Sequence, residues 1–517
     1  MTLREISRPA LWIILPICAL YIAGMAALLY TLKMDAARGL MIVPLALFGL
    51  YLGLYHFRQF LWLMVFLTPL SISIKNLGGG FGASFPVEAM LGLSALIGGI
   101  ILLRTNFLRR EVVRHPVTLI IGLQVTWIAA TTLVSSYTLV SLKFLVARLA
   151  YLIVFYLLFL HLFRDLRNLN RFLWLYLIGF APVIVHSLNR LAGWGLARAH
   201  SPEMSHPFFD DHTVFGACLA LLLPAALYFW GHRATALEGL RHRWLIWVAA
   251  PLTVAGLTLS FSRAAWLTAI AALGMYGLMR LRVPFRWLLG LLAVLTAGIW
   301  LNQDALWERL QQNKTASGNN VLKTAASVTN VSTDDSNRER VNRWASALRM
   351  HAERPWMGWG PGTYERNYAI FQITSQKTRI STMKGDRGDA HSEYLGALSE
   401  QGIPGLVLQV ALFLALIGYG MRAVYRHPDP RARGVGTAVV LGLLTYILHG
   451  GVNSFLDLDK VASLFWGMCG MVVALDLHEK HQPLAGNSAG IVNLNLEQEI
   501  IIGAAQEKAP PNGQEAV

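Results

Sequence analysis

The sequence predicts an all-α polytopic membrane protein of about fourteen transmembrane helices, and three observations carry the prediction. Hydrophobic residues make up 55% of the 517 residues and charged residues 14%, with a mean hydropathy of +0.47. That balance leaves a water-soluble domain too little polar surface to cover itself. The apolar residues run in blocks, many reaching the roughly 20 residues that cross about 30 Å of hydrocarbon. Arg-rich segments fill alternate gaps between the blocks, as cytoplasmic loops do.

Taken in order, the blocks place spans near 11-32, 39-57, 60-74, 87-104, 116-136, 141-163, 172-191, 213-230, 244-260, 264-280, 287-302, 402-421, 435-449 and 460-477. The first block lacks a small-residue cleavage site and reads as a retained helix rather than a signal peptide. Together they make a membrane domain over 1-477, followed by a polar tail over 478-517. One set of loops holds Arg104, Arg109, Arg110 and Arg114, then Arg164, Arg167 and Arg171. Arg233, Arg241 and Arg243 follow, then Arg280, Arg282 and Arg286, and finally Arg422, Arg426, Arg431 and Arg433. Loops of this phase carry roughly twenty Lys/Arg against about eight in the short loops of the other, which puts both termini inside. The net charge of +15 is thereby explained by topology and calls for no nucleic acid. Cys18, Cys218 and Cys469 all fall within apolar blocks, in no metal or disulfide spacing.

Four segments fall outside: 192-212, the turn Phe261 to Arg263, the long stretch 303-395, and 450-459. The run Gln311 to Asn337 is rich in Ser, Thr and Asn and has no periodicity. From Arg338 to His351, Val341, Trp344, Ala345 and Leu348 recur at helical spacing and predict a short amphipathic helix. Arg354-Pro355 ends it, and Gly358, Gly360, Pro361 and Gly362 force a compact turn whose backbone can approach other groups closely. No internal repeat is visible, so an inverted-repeat transporter has no support.

The sharpest chemical pattern is His391-Ser392, then nine residues, then Gly402-Ile403-Pro404-Gly405. It sets an imidazole at the outer mouth of a helix, where a group of ordinary pKa near 6.5 can take a proton from a hydroxyl. From spacing alone, an interfacial histidine that merely caps a loop is the reading to be displaced. Arg263 stands on the side where positive charge is disfavoured, which calls for an anionic partner. Arg148 lies some seven residues into its span, too deep to snorkel easily. For Arg263 the alternative to a bound anion is outward snorkelling into lipid headgroups, and for Arg148 it is a structural pair with a buried acid. No metal-ligand cluster stands on the outside.

The spacing of His391-Ser392 to Gly402 and Gly405, with Glu400-Gln401-Gly402-Ile403 inside it, resembles the signature of the bacterial O-antigen ligase and polymerase superfamily. Phe261-Ser262-Arg263-Ala264-Ala265-Trp266 resembles that family's Ser-Arg-x-x-Trp element, and Arg343-Trp344 through Pro355 to Gly362 resembles its pre-motif loop. Asp210-Asp211-His212 with Gly216 resembles a further segment, although a Pro-Asn pair is common there. The resemblance spans most of 140-475. It implies a GT-C-like helical bundle in the inner membrane, with a long periplasmic loop before the twelfth span. It also implies a metal-independent inverting glycosyltransferase with no cofactor. The donor would be a glycan on undecaprenyl diphosphate, and the acceptor a hydroxyl of a glycan, of lipid A-core or of a protein, among membrane lipids. In that role His391 would be the base, and Arg263 and Arg148 would hold the diphosphate. Arg338, Arg340 and Arg343 would add contacts, and Asp211, His212, Glu393 and Asn453 would bind substrate. A polyprenol-linked glycan flippase is the competing reading, and a scaffold a third.

Overall fold

The computed structural model describes residues 34–74, 83–104, 109–239, 242–313, 327, 330–378, 381 and 388–481. The predicted first span, much of the polar run 311–337 and the tail beyond 481 lie outside those residues. Two compact units divide the chain: Met1–Leu61 with Ala489–Val517, and Trp62–Ser488. Helices α1 (Met34–Tyr55) and α2 (Phe57–Leu67) open the described chain, followed by a hairpin of β1 (Ile72–Ile74) and β2 (Ala83–Phe85). Then come α3 (Val87–Arg104), α4 (Pro116–Leu133), α5 (Thr138–Leu162), α6 (Arg167–Gly193) and α7 (His212–Gly231). Helices α8 (Ile246–Leu259), α9 (Arg263–Arg280), α10 (Phe285–Leu301) and α11 (Gln303–Gln312) lead to α12 (Asp335–Glu353). Last are α13 (Glu393–Arg426), α14 (Pro430–His449) and α15 (Asp459–His481).

Among the described residues eight helices, α3 to α7 and α13 to α15, are long and apolar enough to cross a membrane. Phe285–Leu301 and Gln303–Leu310 make a ninth if that pair, bent by 79°, counts as one span. The chain is an all-α multi-pass membrane protein. One expected span needs correcting: 60-74 stops as a helix at Leu70, and Ile72, Ser73 and Ile74 pair with Phe85, Ser84 and Ala83 in an antiparallel ladder. Hydropathy cannot tell a short apolar strand from the end of a helix.

Several helices start where local chemistry satisfies their free N–H groups. His115 caps α4 ahead of Pro116, Asp211 caps α7, Asp334 caps α12, Ser392 caps α13, and Asp429 caps α14 ahead of Pro430. Every residue of α15 from Asp459 to Asp476 is buried, which fits its hydrophobic character all round. Around it α13 packs on α4, α14 and α15, while α7 packs on α8, α9 and α14. At Gly442 of α14 an added Cβ would stand 2.5 Å from the Leu221 carbonyl oxygen, so only a bare backbone fits this helix crossing. At the margin, α10 buries none of its residues and turns Trp287, Leu291 and Ile299 outward.

Helix α13 carries the signature. It begins at Glu393, not near Gly402 where its apolar run starts, because Gly402 (φ 70°, ψ −168°) bends a helix that continues on both sides. The bend leaves carbonyls unpaired within α13, and the turn after α12 supplies their donors. Trp359 N–H donates to Ser399 O at 3.1 Å and Gly360 N–H to Glu400 O at 2.9 Å, while Ile403 N–H donates to Pro355 O at 2.9 Å. A Cβ at Gly402 would come 2.1 Å from Trp356 O. The glycines of the two motifs thus exist for each other.

Helix α12 is a helix as expected, but its inward face is not the expected one. Glu339, Asn342, Arg343, Ser346, Ala347 and Met350 are buried, whereas Leu348 is 50% exposed. Ala347 and Met350 join Tyr364, Tyr368, Phe371 and Ala390 in a small separate core, with Trp359 and Leu395 packed against it. On that inward face Arg343 bonds Glu339 and the Asp389 carbonyl.

Candidate functional site

Arg263 is the first residue of α9, after a turn in which Phe261 takes φ +53°. Its guanidinium meets Asp334 with Nη1–Oδ2 at 3.2 Å and Nη2–Oδ1 at 3.3 Å. It also donates to Ser327 Oγ at 2.9 Å and Asn337 Oδ1 at 3.1 Å. The two side chains are 10% and 7% exposed. The anion that the arginine's position calls for is supplied, at least in part, by the residue that caps α12.

Two turns along α12, Arg343 Nε donates to Glu339 Oε1 at 2.9 Å and Nη1 to the Asp389 carbonyl at 3.0 Å. A Cβ at Gly388 (φ +112°) would stand 1.6 Å from Nη1, so the backbone runs flush against the guanidinium. Trp344 Nε1 donates to the His391 carbonyl at 3.1 Å. Helix α12 therefore grips the segment that presents His391 from both sides.

His391 takes φ +47°, an uncommon state for a residue with a Cβ and one that must be held by its surroundings. The Asp389 carboxylate does this by accepting from the His391 N–H at 2.8 Å, with Nδ1 3.2 Å from the same oxygen. Burial, then the charges of Arg343 and Arg340, push the imidazole down to about 3, against an upward pull from Asp211. Burial pushes the Asp389 carboxyl up to about 6, against the His391 N–H and Arg343. The imidazole is therefore neutral near pH 7, the form that can accept a proton.

Asp211 accepts from Thr213 N and Thr213 Oγ1, both at 2.8 Å, and lies 2.9 Å from His212 Nδ1. Burial alone would raise its carboxyl, but His212 and Thr213 outweigh that and hold it below the usual carboxylate range. Arg340 reaches the loop after α14, with Nε donating to Val452 O at 3.2 Å. Burial and the charge of Arg263 depress its pKa, while Asp211, Asp334 and Asp389 pull the other way. The same two causes depress Arg198. That residue lies in the 3-10 turn Arg198–Glu203 and was missed by sequence reasoning. The signal was available: a cation in an outer loop, where positive charge is disfavoured. Among the described residues, Arg198, Arg338 and Arg340 have no carboxylate within ion-pair distance.

The remaining expected residues turn inward. Arg148 Nη2 donates to Asp457 Oδ1 at 2.8 Å, with its guanidinium between the rings of Phe144 and Trp466. Glu393, expected at the substrate, is instead buried. Its Oε1 accepts from the Tyr446 hydroxyl, from Phe455 N at 2.7 Å and from Leu456 N at 2.9 Å. Asn453 is buried against His449, Nδ2 to Nε2 at 2.9 Å. These residues hold the loop between α14 and α15 against the start of α13. Among the described residues no group of three His, Cys, Asp or Glu side chains is arranged to hold a metal ion.

Residues 248–410, from α8 into α13, match the family model described as O-Antigen ligase. That stretch is similar to O-antigen ligases and makes up less than half of the chain. The matched stretch holds Arg263, Arg338, Arg340, Arg343, His391 and Glu393, and is narrower than the 140-475 over which the motifs resemble the family. A curated O-antigen ligase of Pseudomonas aeruginosa is 29% identical over 138 residues, which cover 26% of this chain and 30% of that protein. Arg198, Asp211 and Arg148 lie outside the matched stretch.

Proposed function

We propose that the protein transfers a glycan from undecaprenyl diphosphate to a hydroxyl acceptor at the periplasmic face of the inner membrane, as an O-antigen ligase or polymerase. In this reading the chain has fourteen spans in a GT-C-like bundle, both termini are cytoplasmic, and the tail 478-517 follows the membrane domain. One observation carries the proposal. Three guanidiniums without carboxylate partners among the described residues, Arg198, Arg338 and Arg340, lie in the segments that surround a neutral imidazole. Such an excess of fixed positive charge calls for a polyanion, and guanidinium forks match phosphate oxygens in pairs.

The acceptor oxygen attacks the anomeric carbon as its proton passes to His391. The carbon–oxygen bond to the diphosphate breaks on the opposite face, with inversion. The leaving diphosphate keeps the electron pair, and Arg340 and Arg198 stabilise the charge it gains. Arg263 and Arg343 add field while positioning Asp334 and the His391 segment, and Arg148 holds Asp457 and its loop.

The test incubates purified protein with an undecaprenyl-diphosphate oligosaccharide and candidate hydroxyl acceptors, following release of undecaprenyl diphosphate. His391→Ala is expected to lower the transfer rate by about 10²–10⁴-fold, the usual contribution of a positioned general base. Transfer by His391→Ala at the wild-type rate would overturn the reading. So would loss, in cells carrying that variant, of the lipid-linked glycan from the outer leaflet, which would mark export rather than transfer.

A further inference from the structure

Where α4 gives way to α5 at the His391 end, the turn after α12 is fastened to both. Ser136 N–H donates to Trp359 O at 3.0 Å and Ser136 Oγ to the same oxygen at 2.9 Å, while Ser141 Oγ donates to Pro361 O at 2.8 Å. Between Val134, the residue after α4, and the turn 354–358 lies an open notch of about 270 Å³, and Trp356 forms part of its wall. The Trp356 carbonyl is packed on Gly402, where an added Cβ would stand 2.1 Å away, yet the residue is 65% exposed. The backbone of the turn is thus fixed on α13 while the indole projects outward. Neither the small core beside α12 nor the chemistry at His391 accounts for an indole held there.

We propose that Trp356 is seated in the lipid leaflet at the His391 end, and that the notch beside it takes one acyl chain of a phospholipid whose phosphate lies at Arg354. Continuity is the first argument. Leu119, Leu123 and Leu133 make an exposed stripe along α4 that ends at the notch, and Leu139, Leu142 and Val146 make another that leaves it along α5. Both helices are long and apolar enough to cross a membrane, so the stripes face acyl chains and the notch prolongs their shared surface. Ring chemistry is the second. An indole has an apolar body and one polar N–H, and such rings collect where hydrocarbon meets water. Tyr137, also exposed, stands between the two stripes and adds a second ring of that kind. Charge is the third. Arg354, on the wall of the notch, stacks over Trp359 at 4.1 Å, and Arg366 stacks over Tyr137 at 5.5 Å. Guanidiniums beside interfacial rings match lipid phosphates. Because Trp359 and Gly360 of the same turn donate to Ser399 and Glu400 of α13, the seat ties the bend of α13, and the His391 segment ahead of it, to the depth of the headgroups. The inference stands on the membrane topology and is independent of the reaction proposed above.

The test places the full-length protein, labelled with fluorotryptophan, in nanodiscs of phosphatidylethanolamine and phosphatidylglycerol and reads its fluorine NMR spectrum. The chain holds 16 Trp, so the resonance of Trp356 is the one missing from Trp356→Phe. If that variant melts well below wild type, Trp356→Tyr makes the same assignment. Two broadening reagents are then compared at matched strength: a phospholipid bearing a nitroxide on its acyl chain near the glycerol, and a water-soluble gadolinium chelate. The Trp356 resonance is expected to be lost with the nitroxide lipid and kept with the chelate. A loss with the chelate as great as with the lipid would place the indole in water and overturn the proposal. So would a resonance kept with both reagents, the result expected if a second copy of the chain covers the notch in place of lipid.

Discussion

The arginines at the two ends of the bundle share a side chain and differ in everything around it. At the His391 end several are withdrawn from water: Arg263 is 10% exposed beside Asp334, and Arg343 is 7% exposed beside Glu339. At the other end Arg167 is 94% exposed beside Asp165, and Arg431 is 55% exposed beside Glu238. A charge in water carries topology at little energetic consequence, whereas a charge removed from water must be met by an anion or stay destabilised. In the proposed function, the guanidiniums that are withdrawn from water without a carboxylate are the ones that meet an anion from outside. Burial and company, not the number of arginines, separate these pairs at the two ends.

The sharpest way to break that comparison is Arg340. Among the described residues its guanidinium bonds only neutral acceptors, Val452 O, Ser336 Oγ and Asn337 Oδ1. Arg340→Gln is expected to lower kcat/KM for a diphosphate-linked donor by about 10²–10³-fold, the usual loss of one donor to a developing anion. Arg340→Lys keeps the charge without the planar fork and is expected to recover part of it. Both are read in single-donor kinetics alongside a melt of the detergent-solubilised protein. Wild-type kinetics in Arg340→Gln would make the withdrawn arginines structural.

A smaller effect sharpens the comparison through pH. In the free protein, burial with Arg343 and Arg340 holds the His391 imidazole at about 3. A bound diphosphate offsets those cations and so raises the imidazole toward its ordinary value near 6.5. The working form is the neutral base, so rate falls as pH drops through its pKa. The acid limb of kcat, which reports the donor complex, is therefore expected about one unit or more above that of kcat/KM, which reports the free enzyme. Asp389, pushed up to about 6, titrates in the same window, and Asp389→Asn removes it from the profile. Coincident limbs in that variant would mean that no anion sits beside the imidazole.

Most of the helical frame was legible because hydropathy and length are local properties: the span 87-104 and the helix Val87–Arg104 coincide. The start of α13 was not. Glu393, Glu400 and Gln401 are polar, and a sequence reader assigns polar residues to water. Here Glu393 accepts from Tyr446, Phe455 and Leu456, and Glu400 accepts from Gly362 N at 2.9 Å and Tyr364 N at 2.8 Å. Those partners lie 36 to 63 positions away, beyond any spacing rule. His391 and Arg263 stood out because each violates a local expectation, one as an imidazole at a helix mouth and the other as a cation on the disfavoured side. Arg198 and the inward face of α12 did not, because only the folded chain brings Asp334 and Arg263 beside them.

The smallest expected effect belongs to the exposed end and guards the comparison from that side. Arg431 Nη1 lies 2.8 Å from Glu238 Oε2, with the two side chains 55% and 62% exposed. A pair so open contributes about 0.2–1 kcal/mol before screening. Arg431 also stands in the first turn of α14, where a cation opposes the helix dipole, so its removal relieves a term of similar size. The backbone contacts at that position survive truncation: Asp429 Oδ1 still accepts from the residue's N–H, and Tyr228 still donates to its carbonyl. Arg431→Ala is therefore expected to move Tm by no more than about 2 °C and to leave donor turnover within twofold. Salt at about 1 M, where the screening length falls to about 3 Å, is expected to erase even that difference. A loss approaching that of Arg340→Gln would mean that exposure does not distinguish the two ends, because a solvated arginine would then be carrying as much as a withdrawn one.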